Sequence, residues 1–391
     1  MNSTVVNQGL RTKGGGSLKK VLVFIESLDG GGAEAILRNL VSVIDKNKFD
    51  ITVVTETDNE RYTDEVKSHV RHRSFTKRNS SALSEIINKV IIKYSLLASE
   101  KAVRNNLIKG DYDVEIAFCE GYATKVIGNS GRKNCKKIAW VHTDVINHPW
   151  SEEIYGGAEN ERKCYENFDA IVCVSETMKE SFVKKYGMAE KVHVVYNVID
   201  DEETRRKSEE SVNLDLPRPI FALAGRLTQV KGYDRLVRIC AKLRDMGYDF
   251  SVAVLGKGEE EENIKKLISE NSLDERIKLF GFQENPHKFI KNSDVFVCSS
   301  YAEGYSTAVS EAVILGVPVI TTECSGMREI FGGEDCGIIC ENSDEALLEA
   351  MKKVLDEPSL LEFYKEGEKK RAGSFSMASR IRVVEDFIEN I

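Results

Sequence analysis

With 391 residues, 41% of them hydrophobic and 30% charged, the chain can bury more than one core at roughly 100–200 residues per domain, and neither a disordered nor a collagen-like class fits. The net charge of −8 is uneven: 29 basic residues stand against 26 acidic ones through Ile199, and 26 against 37 beyond it, so the two halves suit different partners and the acidic one would repel a nucleic-acid backbone. No basic stripe interleaved with aromatics is present, no apolar run approaches the roughly 18 residues of a membrane-spanning helix and no signal-like start occurs, which points to a cytoplasmic protein without a nucleic-acid partner.

In chain order, residues 1–18 are polar and glycine-rich and are expected to form a disordered tail. Short apolar runs follow at 21–25, 51–55, 114–118, 138–141, 170–174 and 192–196. They are rich in β-branched residues and lack a period of two, the pattern of strands buried on both faces. Helix patterns separate them. Ala33, Ile36, Leu37, Leu40 and Ile44 recur at helical spacing, and 176–186 reads as a helix capped by Ser175. The stretch 82–108 is rich in Leu, Ile and Val, with Lys89, Lys93, Lys101 and Arg104 interspersed. It fits either an interfacial helix on a membrane surface or, the reading favoured here, a buried helix with solvated lysines.

The charged segment 200–219, with two prolines, reads as a linker. Beyond it the alternation restarts, with strands at 220–224, 250–255, 277–280, 295–298, 319–321 and 337–339 and helices beginning near Tyr233, Glu259, Ser306 and Asp344. Strands separated by helices mean right-handed crossovers and parallel sheets, so two doubly wound α/β domains are expected, 19–199 and 220–375, with a last helix over 376–391. Ligands bind such sheets outside the carboxyl ends of the strands. The nine cysteines are odd in number, several lie within strand runs and none forms a Cys-x-x-Cys pair. They read as reduced core residues, and with the six histidines scattered no structural zinc is expected.

Three constellations carry chemistry. Gly30-Gly31-Gly32 after the first strand opens a helix, where free amides would meet an anion, although a flexible turn explains it equally well. It matches neither the Gly-x-Gly-x-x-Gly nor the Walker pattern, which disfavours a nicotinamide cofactor and a P-loop. Gly225-Arg226 and Lys231-Gly232 put two cations on the loop after the first strand of the second half, suited to a diphosphate or, alternatively, merely solvated. The densest signal is Glu303-Gly304-Tyr305-Ser306 followed by Glu311. Ser306 can cap a helix, so the amides of Gly304, Tyr305 and Ser306 crowd its positive end, and each carboxylate can accept from a pair of sugar hydroxyls. Asp111-Tyr112-Asp113 has metal-binding spacing but stands at the amino end of a strand, where ligands in such sheets do not bind.

In these residues, together with Gly316-Val317-Pro318-Val319, the chain resembles retaining glycosyltransferases of family 4. The match runs from about Lys20 to the end and is densest over 220–339. The resemblance implies the GT-B fold, two Rossmann-like domains facing across a cleft, with the terminal helix crossing back onto the first. It implies that Arg226 and Lys231 bind the donor diphosphate, Glu311 the nucleotide ribose and Glu303 the donor sugar, with Gly31 and Gly32 closing on the diphosphate beside Gly225. Gly256 and Phe282 match segments lining the base pocket. His142, in Trp140-Val141-His142-Thr143-Asp144, matches a sugar-contacting histidine, or simply closes its strand. Thr143 separates it from the acid that in many members follows directly.

The expected activity is transfer of a hexosyl or N-acetylhexosaminyl unit, with retention, from a nucleotide diphosphate sugar, taken as UDP-linked, to a lipid-linked or glycan acceptor in cell-surface polysaccharide assembly. No metal and no resident cofactor are expected, and peripheral contact with the inner membrane face fits the acceptor side. The alternatives are a sugar-nucleotide epimerase of the same fold, which would turn over donor without acceptor, and a non-catalytic partner subunit, which would have no use for Arg226, Lys231, Glu303 and Glu311 together.

Overall fold

The computed structural model describes residues 18–58, 60–77 and 81–391; the expected tail lies outside them except for Leu18. The first domain holds a seven-stranded sheet: β1 (Lys19–Phe24), β2 (Phe49–Thr55), β3 (Arg71–Ser74), β4 (Val114–Ala117), β5 (Lys136–Val141), β6 (Ala170–Cys173) and β7 (Val192–Val194) in the order β3-β2-β1-β4-β5-β6-β7. The second domain holds six: β8 (Ile220–Ala224), β9 (Ser251–Leu255), β10 (Ile277–Gly281), β11 (Val295–Cys298), β12 (Val319–Thr322) and β13 (Gly337–Cys340) in the order β10-β9-β8-β11-β12-β13. Every pairing is parallel.

The continuous apolar runs are explained by helices on both sheet faces. Val21, Leu22 and Phe24 of β1 are buried, as are Ile36, Leu37 and Leu40 of the helix Gly32–Val43 that packs on it. Each such side chain contributes roughly 1.5–3 kcal/mol by leaving water. Strand order reverses on either side of β1 and of β8. These are the switch points where a doubly wound sheet opens a crevice at its carboxyl edge, and the glycine loop and the Arg226–Lys231 loop issue from them.

Four features depart from the sequence reading. The edge strand β3, Arg-His-Arg-Ser, carries no apolar signal because it pairs only with β2, and charge on an edge discourages pairing with other chains. The segment read as a linker contains the helix Asp201–Ser208, which Asp200 caps by accepting from the Glu203 amide at 2.7 Å. Arg205 Nη1 of that helix donates to Ile314 O at 2.7 Å, fastening it to the second domain. The stretch 82–108 is not a buried helix: Ala82–Leu97 buries only Ser95. Arg104, expected among solvated cations, is fully buried and paired with Glu115 of β4 at 2.5 Å.

The last helix, Met377–Asn390, buries Ile381, Val384 and Ile388 and reaches back to the first sheet. Lys19 Nζ donates to Ile388 O at 2.8 Å and Lys48 pairs with Glu389 at 3.0 Å. All nine cysteines are unbridged, and among the described residues no helix is long and apolar enough to cross a membrane.

Candidate active site

A cleft of about 1470 Å³ lies between the carboxyl edges of the two sheets. Its second-domain wall carries Gly225, Arg226, Lys231, Gly256, Phe282, Glu303, Gly304, Tyr305 and Ser306, and Gly31, Gly32 and His142 line the first-domain wall. Glu311 is not among the lining groups. It lies one turn beyond the cleft residue Thr307, with Oε2 3.9 Å from His287 Nδ1 and its side chain 19% exposed. Burial raises its carboxyl above the ordinary glutamate range, while His287, Arg38 and Lys207 pull the other way.

Lys231 and Glu303 form the centre of the second-domain wall. Lys231 follows a short turn after β8, and Glu303 stands on the loop between β11 and the helix Thr307–Leu315. Their Nζ–Oε1 distance is 2.7 Å, and Ser300 donates to the same oxygen at 2.6 Å. Burial alone would lower the lysine, but the Glu303 carboxylate outweighs it and leaves the ammonium raised, hence firmly charged at neutral pH. Ser306 caps its helix, Oγ accepting from the Val309 amide at 3.4 Å, so the free amides of the first turn stand at the edge of the cleft.

Arg226, 64% exposed, bridges the cleft toward Glu34 at 3.9 Å. It lies so close to the glycine loop that a Cβ on Gly31 would sit 2.2 Å from its Nη2. Beside it Arg61 stacks on the Phe282 ring at 3.5 Å. A Cβ on Gly256, whose φ is +147°, would fall 1.9 Å from Gly225 O, which requires glycine where the loops after β8 and β9 cross. At Gly304 a Cβ would meet His142 O at 2.0 Å, so here the two domains touch backbone to backbone.

His142 continues β5. Burial pushes its pKa down to about 3, its ring packs on Phe118 at a centroid distance of 5.0 Å, and its Nε2 has no protein partner among the described residues. It is therefore a neutral imidazole with one open nitrogen, suited to a hydrogen bond rather than to charge or proton exchange. Asp144 has a separate task. It accepts from the Ile146 and Asn147 amides at 2.9 and 3.0 Å and from Ser325 Oγ of the second domain at 2.6 Å, a clasp between the domains. Ser175 Oγ adds to the clasp by donating to Gly304 O at 3.2 Å.

Sequence reasoning missed the first-domain carboxylates. Glu26 at the end of β1 and Glu120 after β4 line the cleft with His148 and Trp150. Burial raises Glu26 to about 7, even though Oε1 accepts from the Ala123 amide at 2.7 Å. Glu120 Oε1 accepts from the His142 amide at 2.7 Å and from Thr143 Oγ1 at 2.8 Å, which orients the loop bearing His142. A single glutamate after a strand has no spacing signature, so only a strand-end rule applied to every strand would have found them. Asp111 pairs with Arg132 at 2.9 Å, and Asp113 accepts from the Lys20 amide at 2.7 Å, both at the amino edge of the sheet, opposite the cleft.

Known proteins share the sequence pattern of both halves and the fold. The family model for Glycosyltransferase Family 4 matches residues 30–203, and that for Glycosyl transferases group 1 matches residues 204–371. A Campylobacter jejuni protein, N-acetylgalactosamine-N,N'-diacetylbacillosaminyl-diphospho-undecaprenol 4-alpha-N-acetylgalactosaminyltransferase, is 26% identical over 95% of this chain and 99% of its own. The Escherichia coli O-antigen biosynthesis glycosyltransferase WclY is 24% identical over 80% of this chain and 82% of its own. Among solved structures, Anabaena HepE in complex with UDP and glucose superposes with a TM-score of 0.75 at 15% identity, covering 95% of this chain and all of that one. With two sheets facing across one cleft and both halves matched in order, the chain belongs to the group 1, family 4 glycosyltransferases of the GT-B fold.

Proposed function

We propose that the protein transfers a hexosyl or N-acetylhexosaminyl unit, with retention of anomeric configuration, from a UDP-sugar to a hydroxyl of a lipid-linked or glycan acceptor in cell-surface polysaccharide biosynthesis. The observation that carries the reading is the charged Lys231, held by Glu303 beside Arg226 and facing the glycine loop across the cleft. Charge develops on the departing diphosphate in the transition state, and two fixed cations stabilise it there. The bond from the anomeric carbon to the phosphate oxygen breaks, the acceptor oxygen bonds to the same face, and its proton passes to the leaving phosphate oxygen. Glu303, engaged by Lys231 and Ser300, orients the donor sugar rather than attacking it. The ribose role of Glu311 rests on the family resemblance, since the residue sits one turn behind the cleft residue Thr307, and His142 accepts or donates one hydrogen bond to the sugar through its open nitrogen. The cations make a divalent metal unnecessary.

The names of the relatives support the donor and acceptor classes: UDP with HepE, an undecaprenyl diphosphate-linked glycan with the Campylobacter enzyme and O-antigen with WclY. The test is a screen of UDP-glucose, UDP-galactose and their N-acetyl forms for thermal stabilisation and for transfer to polyprenyl diphosphate-linked acceptors, with the product anomer read by NMR. Inversion at the anomeric carbon would remove the same-face mechanism. Donor conversion without any acceptor would instead make the protein an epimerase.

A further inference from the structure

The loop that follows β5 carries an aromatic side chain that the donor chemistry leaves unused. Trp150 lines the first-domain wall of the cleft and is 41% exposed, whereas Trp140, the chain's other tryptophan, is buried. The exposed indole is nonetheless held in place. Its Nε1 donates to Thr143 Oγ1 at 3.2 Å, and Thr143 donates in turn to Glu120 Oε1 at 2.8 Å, so a chain of hydrogen bonds sets the plane of the ring. One edge rests on Gly121, where φ is +87° and a Cβ would fall 2.9 Å from the indole Cη2. Tyr155 Oη fixes that seat by donating to Gly121 O at 2.9 Å, and Ser151, next in the chain, donates to Glu161 at 2.6 Å and pins the loop. An aromatic face restrained in this way meets a ligand without first losing rotamer freedom.

The neighbouring groups on this wall are polar and carry little charge. Glu26, raised to about 7 by burial, donates or accepts near neutral pH. His148, two residues before Trp150, is held below the usual histidine range by burial and then by Lys231, against the opposing pull of Glu303. That both groups of the Lys231–Glu303 pair act on His148 places this loop opposite the donor wall. A flat apolar face bordered by uncharged hydrogen-bonding groups matches a pyranose, whose C–H bonds turn partial positive charge toward the negative face of a π system while its hydroxyls reach outward. We infer that Trp150 is the platform on which a sugar ring of the acceptor stacks, with Glu26 and His148 taking its hydroxyls, so that the acceptor is a saccharide already carried on its lipid or glycan and not a bare polyprenyl phosphate. A bare phosphate would bring an anion against Glu26 and Glu120 and leave the indole without a partner. The donor base, which also has a face to stack, would have to cross the cleft to reach Trp150, since Gly256 and Phe282 stand on the second-domain wall. An earlier sugar-transfer reaction must then supply the acceptor. That the stacked sugar receives the transferred unit rests on the transfer reading above; the stacking itself does not.

Fluorescence and acceptor kinetics test it together. Because Trp140 is buried, quenching of tryptophan emission by iodide reads the exposed face of Trp150. With UDP saturating the donor wall, methyl glycosides of glucose, galactose and their 2-acetamido forms are the probes, and at least one is expected to shield the indole several-fold where inorganic phosphate does not. Trp150→Ala should raise the KM of a sugar-bearing polyprenyl diphosphate acceptor at least about tenfold, and Trp150→Phe, which keeps a smaller ring, only about two- to threefold. Both variants should keep wild-type UDP affinity by calorimetry, since the residue stands apart from the donor wall. An unchanged acceptor KM in Trp150→Ala would overturn the inference. So would transfer to polyprenyl phosphate as fast as to sugar-bearing acceptors, or a tenfold loss of UDP affinity, which would make the indole a contact of the donor base. Shielding by a glycoside without transfer to any acceptor would sink the transfer reading and leave the platform standing; transfer with neither shielding nor a change in acceptor KM would sink the platform alone.

Discussion

The two walls of the cleft solve the same problem with opposite electrostatics. On the second-domain wall a charged lysine is locked to a carboxylate, and Arg226 stands largely in solvent beside a capped helix start. On the first-domain wall burial raises the carboxyls of Glu26, Glu34 and Glu120 and holds His142 neutral. On the proposed reading, one wall offers fixed charge to a diphosphate whose charge is the same in every donor. The other offers groups that give and accept hydrogen bonds at little charge, which suits a neutral sugar or acceptor hydroxyl. On the proposed reading, the donor wall of this chain carries a pattern visible in the sequence and the acceptor wall does not.

The most severe way to break the comparison is to remove the fixed charge. Lys231→Ala is expected to lower kcat by roughly 10²–10³ and to raise the donor KM much less, since the ammonium acts most on the additional charge that develops on the leaving phosphate in the transition state. A compensating rise in KM with intact kcat would shift Lys231 from the leaving group to ground-state binding. Arg226→Ala should behave alike but more mildly, because its guanidinium is mostly solvated.

A control outside the cleft sharpens the contrast between neutralised and fixed charge. Glu368, fully buried with neither carboxyl oxygen partnered among the described residues, is raised to about 10 by burial, against weaker opposing pulls from Lys291 and Lys365. A group whose folded pKa exceeds its unfolded value contributes stability that is complete below the unfolded pKa and lost as pH rises through the folded one. Between about pH 4.5 and 7 the native state therefore loses roughly 3 kcal/mol at this site. Glu368→Gln keeps the shape without the proton, so thermal unfolding of the variant should be flatter with pH and occur at higher temperature at pH 7. An unchanged pH profile would mean that the lysines reach the carboxylate and ionise it.

What was legible in advance follows the same division. Gly225-Arg226, Lys231, Glu303 and Ser306 were readable because their order and spacing together resemble a known family, although each piece alone is ambiguous, and the structure lines one wall of the cleft with them. The sheets were readable from buried strands, with β3 missed because an edge strand of Arg and His has no apolar run. Glu26 and Glu120 left no trace because their raised carboxyls come from burial, which is a property of the fold and not of neighbours in sequence. The helix Asp201–Ser208 was hidden by its own charge, Glu203 and Lys207 pairing at 3.0 Å where composition suggested a linker.

Glu311 offers a smaller and more local test. Although it is set back from the cleft, the ribose role proposed for it from the family resemblance would hold the nucleotide equally before and after transfer. Glu311→Ala is expected to weaken UDP about tenfold by calorimetry, with kcat nearly unchanged. Unaltered UDP affinity would leave it as a partner of His287 only.

The smallest expected effect belongs to the motif that a pattern search would rank first. Asp111 and Asp113 have the spacing of metal-binding carboxylates, yet Asp113 receives the Lys20 amide and Asp111 the Arg132 guanidinium, at the amino edge of the first sheet. The cleft opens at the carboxyl edge, so an ion held there would have the length of the strands between itself and the diphosphate. Asn at position 113 keeps an oxygen for the Lys20 amide, so Asp113→Asn should change stability by less than about 0.5 kcal/mol and leave turnover intact. Excess chelator should leave turnover intact as well, because Lys231 and Arg226 already supply the positive charge that a metal would bring. Turnover lost in chelator and restored by magnesium would place a cation beside those two residues and reverse the contrast between the walls, making their charge a supplement to the metal instead of its replacement.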